Sequence, residues 1–172
     1  DSTPTDDEFD GGRRDAIRGA AFGLGAQAGL NWRYERITSL METDDIAEVM
    51  SGTFNFSRMT SDEGVLYPVI SQTRRAFTVG DEGQSARSSR IAWEIVTPAR
   101  IVANPPQWQR YLYQPTEPPG KPSTGLMPNN ADERDLWLEQ TCKGFERGVQ
   151  QAETIYTDRM NRLVRDYAGM MR

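Results

Sequence analysis

Residues 130–170 read NADERDLWLEQTCKGFERGVQQAETIYTDRMNRLVRDYAGM, and this stretch decides the fold. Asn130 followed three positions later by Glu133 has the form of a capping box, in which side chains satisfy N–H groups that the first helical turn leaves without partners. Behind it Leu138, Cys142, Phe145, Val149, Ala152, Tyr156, Met160, Leu163, Tyr167 and Met170 recur at steps of three and four. That period predicts one apolar seam along a helix of about 60 Å, at 1.5 Å per residue. A compact domain of this size spans only about 30–35 Å, so the helix is expected to project or to pack along another long element. Cys142 lies on the seam and reads as a small apolar filler. Arg134, Arg147, Arg159, Arg162 and Arg165 fall off it, and with Asp158 and Asp166 read as solvated faces with i,i+4 pairing.

Working outward, residues 11–42 predict the second long helix. Ile17, Ala21, Leu24 and Ala28 share one face, continued by Ile37, Leu40 and Met41. Its first half is crowded with small residues, among them Gly19, Gly23, Gly25 and Gly29. Glycine inside a helix costs about 1 kcal/mol against alanine. Four of them imply either a very close neighbour, whether another helix or another chain, or a loose and broken helix. Gly23-Leu24-Gly25 invites a dinucleotide-site reading, but only weakly, because no strand precedes it and the third glycine is one position late.

Between the long helices the pattern changes. Thr43-Asp44-Asp45 caps a short helix through Met50. Phe54 and Phe56 read as core. Val65-Leu66-Tyr67 is a short strand bounded by Pro68, and Ala76–Val79 is a β-prone run. Gly80 to Ser89 is a polar turn. Arg90–Ile95 alternates, with Ile91, Trp93 and Ile95 on one face. Pro98 puts any continuation through Ile101-Val102 at an edge or after a bend. The whole predicts an antiparallel hairpin or small sheet. Asn104-Pro105-Pro106 then starts a short helical turn carrying Trp108, Tyr111 and Leu112. Five prolines in residues 114–128 mark an extended connector; a proline-rich ligand for a partner is the alternative.

Composition narrows the function classes. The 172 residues include no histidine and one cysteine. The commonest general base, the histidine-activated nucleophiles, the usual zinc sets and dithiol chemistry are therefore excluded. Carboxylate chemistry survives, with Glu94, Asp132, Glu133 and Asp135 as candidates for a cell-wall glycosidase type of reaction. Asp132, Glu133 and Asp135 equally suit the first turn of a helix, where negative charge is favoured. The net charge is −5. Residues 1–10 carry five acidic groups and no basic one and read as a flexible acidic tail; the rest of the chain is neutral. A neutral body argues against direct nucleic-acid binding. No apolar run is long enough to span a bilayer.

At this point the residues resemble a family. Gly25-Ala26-Gln27-Ala28-Gly29-Leu30-Asn31-Trp32-Arg33-Tyr34 is similar to the opening helix of DotC-type proteins. Those are lipoprotein components of type IVB secretion (Dot/Icm) systems and of the related IncI-type conjugation apparatus. Thr53–Phe56, Leu66–Ile70, Asn104–Leu112, Lys143–Ala152 and Arg162–Met170 resemble the same family in the same order. The resemblance implies a structural subunit of an outer-membrane core complex, facing the periplasm of a Gram-negative bacterium. Implied partners are a DotD-like lipoprotein, a DotH-like core protein and copies of the chain in a ring. The family's lipid-bearing cysteine is not Cys142, so a lipid anchor is expected upstream of Asp1.

The expectations are these. The fold is α+β, helix-dominated, with two long helices flanking a small antiparallel sheet, and residues 11–172 form one domain. The chain is not an enzyme and uses no cofactor or metal. Partner-interface candidates are Trp32, Phe56, Trp108, Tyr111, Gly144 and Gly148, since aromatics and close-packed small residues anchor interfaces; each reads more readily as ordinary core. A transient pilotin-like chaperone and the carboxylate enzyme are the alternative functions.

Overall fold

A computed structural model describes residues 6–79 and 86–172. The fold is the expected helix-dominated α+β arrangement. Two long helices, α1 (Asp6–Met41) and α4 (Ala131–Met170), enclose in sequence the short helices α2 (Asp44–Thr53) and α3 (Trp108–Leu112) and four strands. The strands are β1 (Val65–Leu66), β2 (Val69–Val79), β3 (Ala86–Thr97) and β4 (Arg100–Ile101). The chain forms two compact units: residues 1–47 with 113–158, and residues 48–112 with 159–172. Among the described residues no helix is long and apolar enough to cross a membrane. Residues 1–5 of the acidic tail and 80–85 of the polar turn lie outside the described residues.

The first unit is built on a parallel helix pair. Arg13 bonds Glu133, Arg33 bonds Glu153 and Thr38 bonds Tyr156, so partners lie 118–120 residues apart throughout. A constant offset means that α1 and α4 run in the same direction. α1 is continuous and starts at Asp6, five residues before the expected start, so its glycines do not break it. They are where the helices touch. A Cβ on Gly25 or Gly29 would lie under 3.0 Å from the backbone of Thr141 or Phe145, and one on Gly144 or Gly148 equally close to the backbone of Phe22 or Ala26. Four glycines, two on each helix with GxxxG spacing, thus let the two backbones meet directly.

This contact corrects the predicted seam. In the first half of α4 the buried line runs through Glu133, Leu136, Gly144, Gly148, Ala152 and Tyr156. Leu138 is 68% exposed and Cys142 is exposed, so the cysteine is not a seam filler. Hydrophobic periodicity picks out large side chains, whereas the closest approach selects residues without them. Larger groups flank the line: Trp32 lies 5.6 Å from Phe145. Tyr34 and Tyr156, both buried, close the far end with ring centroids 4.5 Å apart. On α1, Ile17, Ala21, Gly25 and Gly29 are the buried ridge, while Leu40 is exposed rather than part of it.

Parallel pairing requires the chain to return along the helices, and the proline-rich connector makes that return. Thr116 bonds Asn31, Gln27 bonds the carbonyl of Pro118, and Arg13 bonds the carbonyl of Gly125. Nine connector residues thus span eighteen helical ones, about 27 Å at the α-helical rise. That is about 3 Å per residue, the rise of an extended polyproline-type strand. The connector is a strap laid antiparallel on α1.

In the second unit β1 pairs with β4 and β2 with β3, both antiparallel. Continuing the β1–β4 register from Leu66–Arg100 brings Pro68 level with Pro98. Two facing residues without N–H groups split what would be one hairpin into two ladders. Beyond the break the register shifts between Val69 and Ile70, leaving Val96 as a bulge residue. β2 starts directly after Pro68, seven residues before the expected run, and β3 takes in residues 86–89 of the expected turn. The core of this unit gathers Met50, Phe56, Leu66, Val69, Trp108, Leu112, Leu163, Tyr167 and Met170. Here the predicted seam holds: Leu163, Tyr167 and Met170 are buried. Asp166, expected on a solvated face, is buried as well.

Candidate partner-binding cleft

The second unit carries a cleft of about 710 Å³ lined by Ser51, Phe54, Asn55, Phe56 and Ser57 on one side and Asn104 to Arg110 on the other. Local chemistry shapes both walls. Asn55 caps a 3₁₀ turn at Phe56–Met59, its side chain accepting from the N–H of Ser57. Pro105 and Pro106 start α3, whose Trp108 Nε1 donates to Ser51 Oγ at 3.0 Å. That bond fixes the indole, 2% exposed, across from α2.

Behind the cleft the rings form a stack. Phe56 lies parallel to Tyr111 at 5.5 Å, and Tyr167 meets Phe56 edge-on at 5.3 Å and Phe54 at 5.6 Å. Such pairs contribute about 0.5–1.5 kcal/mol each beyond the area they bury. Burial and the neighbouring Asp166 carboxylate, which accepts a hydrogen bond from it, push the Tyr111 phenol up to about 12. Asp166 is held in turn by Arg165, at 2.8 and 3.0 Å. Arg159 donates to the Tyr111 carbonyl at 3.2 Å. The buried acid is thus tied into the aromatic stack.

Phe56, Trp108 and Tyr111 are therefore brought together, the first two lining the cleft and the third stacked behind it. Trp32, Gly144 and Gly148 belong to the helix pair. The two glycines are buried against α1, and Trp32 is 44% exposed with the Arg36 guanidinium 5.2 Å from its ring centre. Of the carboxylate candidates Glu94, Asp132 and Asp135 are exposed, and Glu133 is buried. Glu133 is the centre of a clamp. Arg13 grips it through Nε at 2.8 Å and Nη2 at 3.2 Å, and the N–H of Asn129 donates to it at 2.7 Å. The Arg13 bonds first, then the Asn129 bond, lower its acid to about 2. Asn130 caps the N–H of Glu133 as the motif predicts, while Glu133 reaches Asn129 in place of Asn130. The remaining Arg13 donors hold the carbonyls of Gly125 and Met127. Strap, α1 and the start of α4 are locked by one side chain that sequence reasoning did not single out. A lone arginine 120 residues from its partner has no local signature.

The cleft offers the half-buried ring of Phe54, prolines, carboxamides, two serine hydroxyls and the Arg110 guanidinium. Gln109 Oε1 is buried there without a hydrogen-bond partner. The exposed polar groups of the cleft, at Ser51, Asn104, Gln107 and Arg110, are of the kind that hydrogen-bond a peptide backbone. No curated protein matches the chain. A family model described as type IV secretory system, conjugal DNA-protein transfer, matches residues 11–172, and the chain belongs to that TraI family.

Proposed function

We propose that the chain is a DotC-like structural subunit of the outer-membrane core complex of a type IVB secretion or conjugation system. In this reading it faces the periplasm, stands in a ring of its own copies, supports DotD-like and DotH-like partners, and carries out no catalysis. A lipid anchor upstream of Asp1 ties it to the outer membrane, and its function involves no direct contact with nucleic acid.

The observation that carries the reading is how the interior spends its charge. Glu133 and Asp166, the buried acids among the described residues, are both consumed in holding helices, strap and aromatic stack together. The cleft beside the stack presents amide, hydroxyl and guanidinium groups suited to a partner's backbone. Scaffolds need this combination of rigid interior and recognising surface. The test is purification of the chain from gently solubilised cell envelopes. Stoichiometric recovery of large partners is expected, with density for this chain in images of the assembled machine. Recovery of monomer alone from intact membranes overturns the reading. Co-purification without density in the final assembly replaces it with a pilotin-like chaperone.

A further inference from the structure

The β2–β3 ribbon is used by neither the helix pair nor the cleft, and its chemistry is unlike the rest of the chain. On one face Ile91, Trp93 and Ile95 stand in a row, 52, 60 and 63% exposed, opposite Arg74, Gln72 and Ile70. Solvated ribbons do not ordinarily carry a tryptophan between two isoleucines on an open face. On the other face Arg75 lies directly opposite Arg90. Like charges in that position destabilise a ladder, and no ion pair is formed by either among the described residues. The two strands hold four arginines against one glutamate, in a chain whose net charge is −5. Arginines alone would blunt an edge against aggregation. They do not account for the apolar row behind them.

The backbone adds a direction. The start of β2 is covered, since Gly169 of α4 packs against Val69 and Ile70. Among the described residues β3 pairs only with β2, and residues 89–96 are all exposed, so its outer edge is left open by the described residues. We propose that the ribbon is a docking arm that receives an extended acidic segment of a partner protein along the outer edge of β3. Added there, the segment's alternate side chains fall on the two faces of the ribbon. Carboxylates would sit beside Arg90, with Arg75 one strand further in on the same face, and apolar groups would continue the row of Ile91, Trp93 and Ile95. A second copy's ribbon would bring its own arginines into repulsion. An anionic lipid surface or DNA could supply the charge, but neither supplies N–H and C=O groups to pair the open edge. This proposal stands apart from the cleft and from any role in secretion.

The experiment is amide hydrogen exchange on the purified chain with a ten-residue peptide alternating glutamate and valine, and with its lysine–valine counterpart. The glutamate peptide is expected to slow exchange across residues 90–96 at least tenfold, and the lysine peptide to leave it unchanged. The double variant R75E/R90E, whose substitutions are exposed, should reverse that preference. Trp93→Thr, which keeps a β-favouring residue and removes the ring, should weaken binding tenfold or more. The proposal is overturned by unchanged exchange at millimolar glutamate peptide, by equal protection from both peptides, or by a double variant that keeps the wild-type preference. Protection that instead follows chain concentration, phosphatidylglycerol vesicles or duplex DNA, where the peptide gives none, overturns it equally.

Discussion

Glu133 and Tyr111 titrate at opposite ends of the pH scale. The Glu133 acid is held near 2, so it favours folding at pH values above its unfolded range near 4.5, and that contribution is lost as pH falls toward 2. Glu133→Gln should flatten this acid limb, and urea unfolding from pH 5 to pH 2 reads it. Tyr111 runs the other way. Its phenol is raised from 10 to about 12, so the stability it contributes is intact below pH 10 and lost as pH rises toward 12. Tyr111→Phe should reduce that alkaline loss while keeping the stack on Phe56, with Tyr113, also raised to about 12, supplying the remainder, as followed by thermal unfolding between pH 9 and 12. Glu133 was legible as a helix cap from Asn130-x-x-Glu133. Its grip on Arg13 was not, because pairing across 120 residues leaves no periodic trace.

At the scale of elements the glycines divide into two kinds that composition cannot separate. A Cβ on Gly148 would strike the backbone of Ala26, whereas Gly19 has open space around it. Gly148→Ala is expected to destabilise by about 1–3 kcal/mol, because backbone cannot move aside as a side chain can. Gly19→Ala should stabilise by about 0.5–1 kcal/mol through helix propensity alone. Paired thermal melts of the two variants check both signs. Small-residue crowding in α1 did announce a close neighbour. The neighbour's face was misread by the time it reached Leu138 and Cys142, since apolar periodicity follows volume and the contact follows its absence. Further along α4, where Leu163 and Tyr167 enter an ordinary core, volume and burial coincide again and the seam holds. The strands were shorter in prediction than in the fold. The polar composition of β2 hides a ladder maintained by its backbone, and Pro68 and Pro98 fall opposite one another only once the register is known.

For the whole molecule the two units should differ in local stability. A two-stranded ribbon without a covered face is marginal in water. Amides of residues 72–76 and 90–95 are expected to exchange at opening free energies near zero. Those of the glycine-lined helix pair should approach the global value, as native-state hydrogen exchange measures residue by residue. Helix lengths, the two short helices and the α+β class were all legible. The direction of pairing was not: nothing in either helix's own pattern distinguishes a parallel from an antiparallel neighbour, and the strap that decides it reads as a plain linker.

That direction has a consequence in time. Each residue of α1 waits for a partner made 118–120 residues later, which at ribosomal rates of about 5–20 residues per second is roughly 6–24 s. Throughout that interval the glycine ridge of α1 stands uncovered, with Gly25 and Gly29 open to water. The helix pair therefore closes only once α4 has been made, and the nascent α1 is held back from its final packing until then.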